Sequence, residues 1–280
     1  MTHRPTFREL HLRDSPLVMA NPWDVGSAVV LEALGFEALA TTSSGMAFGL
    51  GLPDGGVTEH QALTHCAAIA AATSVPVSGD LEGGYGTSPE QVASVVHQAA
   101  SAGLAGCSIE DHTGDPLDPM HPRTLAVERV AAAVESARGV DGDFVLTARC
   151  ERLLWVDRDL DAVIATLQAY ASVGADVVFA PGLETIGEIA AVCEAIDVPV
   201  SVGLEMPDKP SIAELADVGV SRVSVGAVLV RRAYGSMMRS AQELLEQGTL
   251  HSAADAIDYD RLESIFATSS TRPRRDEQPS

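Results

Sequence analysis

Residues 74–86 read SVPVSGDLEGGYG. A short run rich in valine ends on Asp80, Glu82 follows two positions later, and three of the next four residues are glycine. An apolar run without clean alternation is the mark of a parallel strand buried on both faces. The pattern recurs along the chain, at 17–20, 37–42, 75–80, 104–110, 144–149, 176–181, 198–203 and 221–226. Helix-like stretches fall between these runs, at about 25–34, 59–72, 88–102, 124–138, 159–173, 185–195, 211–218 and 228–246. Gly35, Gly103, Gly174 and Gly219 stand where helices end, and Ser88-Pro89-Glu90 reads as a helix start. Eight strand–helix units predict an α/β fold, a (β/α)8 barrel with an extra C-terminal helix near 255–266. The rival is an open doubly wound sheet, disfavoured by the unit count and by the lack of GxGxxG after the first strand. One domain is expected over 1–268, with a disordered tail over 269–280.

Composition narrows the function. The chain has 280 residues, is 46% hydrophobic and carries a formal net charge of −21. Such a chain repels phosphate backbones, so no nucleic-acid partner is expected. No run reaches the roughly 20 apolar residues of a membrane span, and the N-terminus lacks a signal core. A soluble, cytoplasmic protein is expected. The four cysteines are far apart with no CxxC, which fits reduced thiols. Lys209 is the only lysine and lies in a Pro-flanked loop after the seventh strand, which argues against a Schiff-base aldolase.

In a barrel the site lies at the C-terminal ends of the strands. Those ends deliver Asn21, Trp23 and Asp24; then Thr42, Ser43, Ser44 and Gly45, with a loop to Asp54. Next come Asp80 and Glu82, then Glu110, Asp111 and His112, then Arg149 and Glu151. Strands 6 to 8 end in Pro181, Gly203 and Gly226, which carry no chemistry of their own. Alternate residues of a strand face one way, about 6.6 Å apart. Two carboxylates at that spacing repel by about 2.5 kcal/mol at an effective dielectric near 20. Glu110 on the neighbouring strand adds to this. The cluster takes up protons, binds a hard cation such as Mg²⁺, or is a solvated acidic rim. The glycines after Glu82 would leave room for a metal, its waters and a small acid. Arg149 pairs with Glu110, with Glu151, or with a substrate carboxylate. The turn TTSSGM offers free backbone N–H groups to a carboxylate or oxyanion, or is an ordinary Ser/Gly loop. His112 and His121 lie in a long Pro-rich connection after the fourth strand, which suits a lid.

The stretches NPWDVGSAVVLEALGFEALATTSSGMAFGLGLPDG, DLEGGYG, GCSIED and TARCE together resemble the isocitrate lyase/phosphoenolpyruvate mutase superfamily. The likeness extends through GADVVFAPGL to about residue 240. It implies an Mg²⁺-dependent barrel (Mn²⁺ being an alternative) that works on small carboxylates through enolate-like intermediates, in homotetramers that swap the last helix. By motif, Asp80, Glu82 and Glu110 correspond to the metal-site acids, and Asp54 to the acid closing the far side. Arg149 corresponds to the arginine that grips the substrate carboxylate. Thr42, Ser43, Ser44 and Gly45 match the turn that binds substrate oxygens. The lid TGDPLDPMHP departs from the family. It lacks the lyases' Lys-(Lys/Arg)-Cys-Gly-His segment and the mutases' Lys and Asn, which leaves His121, His112, Asp54 or water to move protons. The resemblance implies a carbon–carbon lyase for a 2-oxo or 2-hydroxy carboxylate of oxaloacetate, alkylmalate or methylisocitrate type. Phosphonopyruvate hydrolase or mutase chemistry, favoured by ARCE, and a non-catalytic metabolite-binding barrel are the alternatives.

Overall fold

The structure, a computed structural model, describes residues 5–140, 143–205 and 210–270. The eight strands are β1 (Leu17–Met19), β2 (Leu39–Ala40), β3 (Val77–Asp80), β4 (Gly106–Glu110), β5 (Val145–Arg149), β6 (Val177–Phe179), β7 (Val200–Gly203) and β8 (Arg222–Ser224). All pair in parallel in the order β1-β8-β7-β6-β5-β4-β3-β2, and a parallel bridge from Ala20 to Leu39 brings the two ends together. The expected (β/α)8 barrel is therefore present, and the open sheet is not.

The helices are α1 (Phe7–Leu10), α2 (Val25–Ala33), α3 (Ser43–Gly49), α4 (Glu59–Ala72), α5 (Pro89–Ser101), α6 (Arg123–Arg138), α7 (Arg152–Trp155), α8 (Leu160–Ser172), α9 (Ile186–Ala195), α10 (Ile212–Asp217), α11 (Val228–Gln247) and α12 (Tyr259–Ser270). Ser88 caps α5, accepting from Gln91 N–H while Gln91 reaches back, a reciprocal cap worth about 1 kcal/mol. Two expectations shift. The last helix begins at Tyr259 rather than 255 and runs to Ser270, past the expected end of the domain. The rest of the expected tail, like Lys209, lies outside the described residues. Helices α1, α3 and α7 were not expected: each is short and takes its stability from what it packs against.

Helix α1 plugs the N-terminal end of the barrel. Phe7 and Leu10 pack with Leu17, Met19, Val145 and Val177, and each buried side chain contributes about 1.5–3 kcal/mol. Above this plug the interior changes character. Ser78, Ser108, Thr147, Ser201 and Arg222 are buried there, where such barrels are usually filled by Val, Ile and Leu. The main apolar core lies outside the sheet, against the helices, where Leu39, Ile69, Ile109, Leu146, Leu167 and Ile189 pack together. No helix among the described residues is long and apolar enough to cross a membrane.

Candidate active site

A cavity of about 880 Å³ opens at the C-terminal end of the strands. Asp80 stands at its centre. Its Oδ2 accepts from the backbone N–H and the hydroxyl of Ser43, both at 2.9 Å. Its Oδ1 accepts from Arg149 Nη1 at 2.9 Å and from Ser108 Oγ at 3.4 Å. Its own N–H donates to Thr41 Oγ1 at 2.8 Å. The carboxylate is thus fixed from α3, β4 and β5, and the backbone behind it from Thr41.

The TTSSGM segment is the N-terminus of α3, not an open turn. Thr42 is its cap and accepts from Gly45 N–H at 3.2 Å. Two of the amides expected to be free are therefore engaged, Ser43 with Asp80 and Gly45 with Thr42. Ser44 N–H has no protein acceptor among the described residues. Thr42, Ser43 and Ser44 line the cavity; Gly45 does not. A Cβ on Gly45 would lie 2.5 Å from Thr42 Cγ2 and 3.0 Å from Trp23 Cβ, so this glycine serves packing.

Arg149 is the hub of the acid cluster. Nη2 lies 3.1 Å from Glu110 Oε2 and 2.8 Å from Glu151 Oε1, and Nε donates to Glu151 Oε1 at 3.0 Å. Its guanidinium carbon sits 5.4 Å from the centroid of the Phe179 ring. Both acid partners foreseen for Arg149 are thus present, with Asp80 as a third. Burial works against its charge, but Glu151, Glu110 and Asp80 together hold its pKa well above the ordinary value. Burial pushes the Glu110 carboxyl well up, with Arg149 opposing.

Glu82 is the unusual acid. Its φ is +49°, the left-handed region that a Cβ disfavours. Its Oε1 is buried without a hydrogen-bond partner, and burial, with Asp80 and Asp54 adding, pushes its pKa up to about 7. Tyr85 repeats the pattern, with φ +52° and a buried hydroxyl lacking a partner. Asp54 lines the far side, its pKa raised by burial and by Asp80.

The glycines of this turn make room for protein rather than for ligand. A Cβ on Gly83 would lie 2.8 Å from His112 O, and one on Gly86 2.6 Å from Gln91 Cβ. Arg129, 1% exposed, donates to the carbonyls of Gly83, Gly86 and Glu110 and so ties the turn to β4.

Asp111 joins β4, β5 and α8. Its Oδ1 accepts from Glu151 N–H and its Oδ2 from the Tyr170 hydroxyl, both at 2.8 Å. The connection after β4 arches over the mouth and closes its own base. His121 N–H donates to Asp111 O at 3.0 Å, Thr113 N–H donates to Pro119 O at 2.9 Å, and His112 bridges Met120. His112 stacks on Trp155 at 4.3 Å, with Nδ1 3.9 Å from Glu110 Oε1. Both His112 and His121 line the cavity, and burial lowers the pKa of each.

Asp80, Glu82, Glu110, Arg149, Asp54, His121 and Thr42–Ser44 are brought to one cavity. The acids do not converge as a ready cage: among the described residues no three His, Cys, Asp or Glu side chains are set to hold a metal together. Although Pro181, Gly203 and Gly226 themselves bring no polar side chain, their side of the barrel is not bare. Phe179, Glu205, Arg222, Ser224 and Arg231 also line the cavity. Glu205 owes its place to two glycines: a Cβ would meet its Oε1 at 2.5 Å on Gly226 and at 3.4 Å on Gly203. The bare glycines in the sequence were the available signal for a neighbouring side chain.

The profile of the family described as phosphoenolpyruvate phosphomutase matches residues 7–245. The chain belongs to the isocitrate lyase/phosphoenolpyruvate mutase superfamily. It is 28% identical to 2-methylisocitrate lyase of Escherichia coli (strain K12), over 96% of this chain and 99% of that protein. The structure of a proposed lyase/mutase from Burkholderia cenocepacia J2315 superposes at a TM-score of 0.91, with 46% identity over 95% of each chain. Oxaloacetate acetylhydrolase in complex with the product oxalate superposes at 0.85, with 26% identity over 95% and 94%. The protein is an enzyme of this superfamily.

Proposed function

We propose that this superfamily member is a divalent-metal-dependent lyase that breaks a carbon–carbon bond in a small 2-oxo or 2-hydroxy carboxylate. Oxaloacetate, an alkylmalate or methylisocitrate represents the substrate class, and the intermediate is enolate-like. The observation that carries the reading is the acid cluster of Asp80, Glu110 and Glu151, held around one guanidinium inside a cavity that the connection after β4 helps to line.

A hard cation fits this donor set. Asp80, Glu82, Glu110 and Glu151 outnumber Arg149, and Glu82 offers a buried oxygen without a partner. The lack of a three-ligand cage suits Mg²⁺, which takes one or two carboxylates and keeps several waters. Asp80 would hold it directly, and Glu82 and Glu110 through water. Mn²⁺ suits the same oxygen donors. Bound there, the ion would neutralise charge developing on the substrate's oxygens.

The chain's own groups supply the rest. Arg149, fixed by three carboxylates, presents its guanidinium to a substrate carboxylate. Ser44 N–H, at the start of α3, is placed to donate to an oxyanion, with Thr42 and Ser43 shaping its surroundings. For a 2-hydroxy acid, Asp54 or His121 takes the hydroxyl proton as the carbon–carbon bond breaks, leaving a carbonyl fragment and an electron pair on the carbon beside the retained carboxyl group, and the same group returns the proton there. The lid, with His112 stacked on Trp155, excludes water.

A panel of 2-oxo and 2-hydroxy acids incubated with Mg²⁺ and read by mass spectrometry tests the reading. It predicts two carbonyl or carboxylate fragments from one substrate, and loss of this turnover on adding a chelator. Cleavage of phosphonopyruvate alone, followed by phosphorus NMR, would move the enzyme to P–C chemistry. Tight oxalate binding with no turnover across the panel would make it a binding protein.

We also propose a homotetramer in which the C-terminal helix passes to a neighbour. Supporting this, Met237, Met238, Leu244 and Leu245 on α11 are exposed, as are Tyr259 and Phe266 on α12.

A further inference from the structure

The polar floor beneath the acid cluster holds a cation without an anion. Arg222, 4% exposed, crosses the barrel interior from β8. Its Nε donates to Ser201 Oγ on β7 at 3.0 Å and its Nη1 to Thr147 Oγ1 on β5 at 2.9 Å. Both partners are neutral. Its Nη2 has no protein acceptor, and no carboxylate lies within ion-pair distance of it, among the described residues.

Its surroundings do not supply the missing charge. Burial, and after it the charge of Arg149, lowers the Arg222 pKa to about 10, so the guanidinium still carries its proton at neutral pH. Below it, His11 is kept neutral by burial and by Arg222 itself. An arginine taken out of water is normally matched by an acid, because an unmatched buried charge is strongly destabilising. The hydroxyls of Ser78 and Ser224 line the cavity that Arg222 also lines, and neither has a hydrogen-bond partner among the described residues.

We propose that this chamber is a binding subsite for a carboxylate-sized oxyanion, held by Arg222 Nη2 and the hydroxyls of Ser78 and Ser224. The anion supplies the acceptor and the negative charge that the protein withholds. Two sources share this chemistry: the second carboxylate of the substrate, or a free monoanion such as formate or bicarbonate. As an anion site it stands apart from the lyase reading, because its first test uses neither substrate nor metal; only its assignment to a substrate carboxylate rests on that reading.

Formate is the probe, titrated at constant ionic strength with sodium gluconate as the bulky reference anion. Thermal unfolding and calorimetry give the response. The wild-type midpoint rises with formate, and Arg222→Met, similar in length and uncharged, weakens formate binding by roughly tenfold or more, as loss of charge-assisted hydrogen bonds implies. An equal response in the variant, or none in the wild type, overturns the proposal. Should Arg222→Met fail to fold, wild-type crystals soaked in bromide decide: an anomalous peak beside Arg222 supports the subsite, and its absence rejects it. Malonate then separates the sources. Competition with formate assigns the chamber to a substrate carboxylate, and simultaneous binding to an independent anion.

Discussion

Single atoms in the turn around Asp80 carry measurable weight. Asp80→Asn keeps the shape but surrenders the charge facing Arg149 and Ser43. Metal-stimulated turnover should fall by about a hundredfold or more, since lost charge neutralisation at such a site is worth several kcal/mol; steady-state kinetics across an Mg²⁺ titration checks this. Gly45→Ala would drive a Cβ to within 2.5 Å of Thr42 Cγ2, and overpacking of this kind costs about 1–3 kcal/mol. Gly49→Ala, in the same helix but with nothing within 4 Å, should instead gain about 0.5–1 kcal/mol. Thermal unfolding of the pair isolates the contact. Glu82 holds a left-handed φ of +49°, which costs a non-glycine residue roughly 1–2 kcal/mol. Glu82→Gly should therefore raise the unfolding midpoint while weakening Mg²⁺ binding, read by calorimetry. A lower midpoint would show that the carboxyl group stabilises the resting fold.

At the scale of elements, α1 links the barrel floor to pH. His11 donates through Nδ1 to Phe7 O at 2.8 Å and packs edge-on against Phe7. Burial, with Arg222 and Arg8 opposing its protonation, lowers its pKa from 6.5 to about 3. The unfolded chain takes up this proton below about pH 6.5 and the folded chain does not. Stability is thus unaffected above that pH and falls as pH drops from 6.5 towards 3, by at most about 1.4 kcal/mol per pH unit. Urea unfolding at stepped pH should show this slope in the wild type and a flatter one in His11→Gln. Helix α8 makes a second link, through Tyr170 to Asp111. Tyr170→Phe leaves a buried carboxylate oxygen without its donor, at a cost of about 1–3 kcal/mol.

For the whole molecule, the eight-unit barrel was legible because its strands are short valine-rich runs buried on both faces, evenly spaced between helices that carry caps such as Ser88. The acids at the ends of β3 and β4 and Arg149 on β5 were legible because strand order alone puts them at one mouth. What escaped depends on distant partners. Arg222 sits in the plain strand text SRVSVG, and its hydroxyl partners are 21 and 75 residues away. Helix α3 escaped because TTSSGM reads as a turn; only packing of Met46 and Ala47 against Val57 and Ala62 makes it a helix. At this scale the exposed apolar residues of α11 and α12 bear on assembly. Sedimentation should give a tetramer, and Leu245→Glu on α11, where Leu245 is 88% exposed, should lower the mass without unfolding the chain. A monomeric wild type would remove the assembly proposal and leave the cavity intact.

The arch after β4 closes on itself, through His121 to Asp111, Thr113 to Pro119 and His112 to Met120. Its tip hangs from Thr113 of the stem through the backbone carbonyls of Asp115 and Asp118, and Gly114, at φ +83°, sets the bend. Side chains at 115–118 can therefore be exchanged while the stem keeps its shape, so new substrate preferences are best sought in libraries confined to these four positions, of which Pro116 lines the cavity.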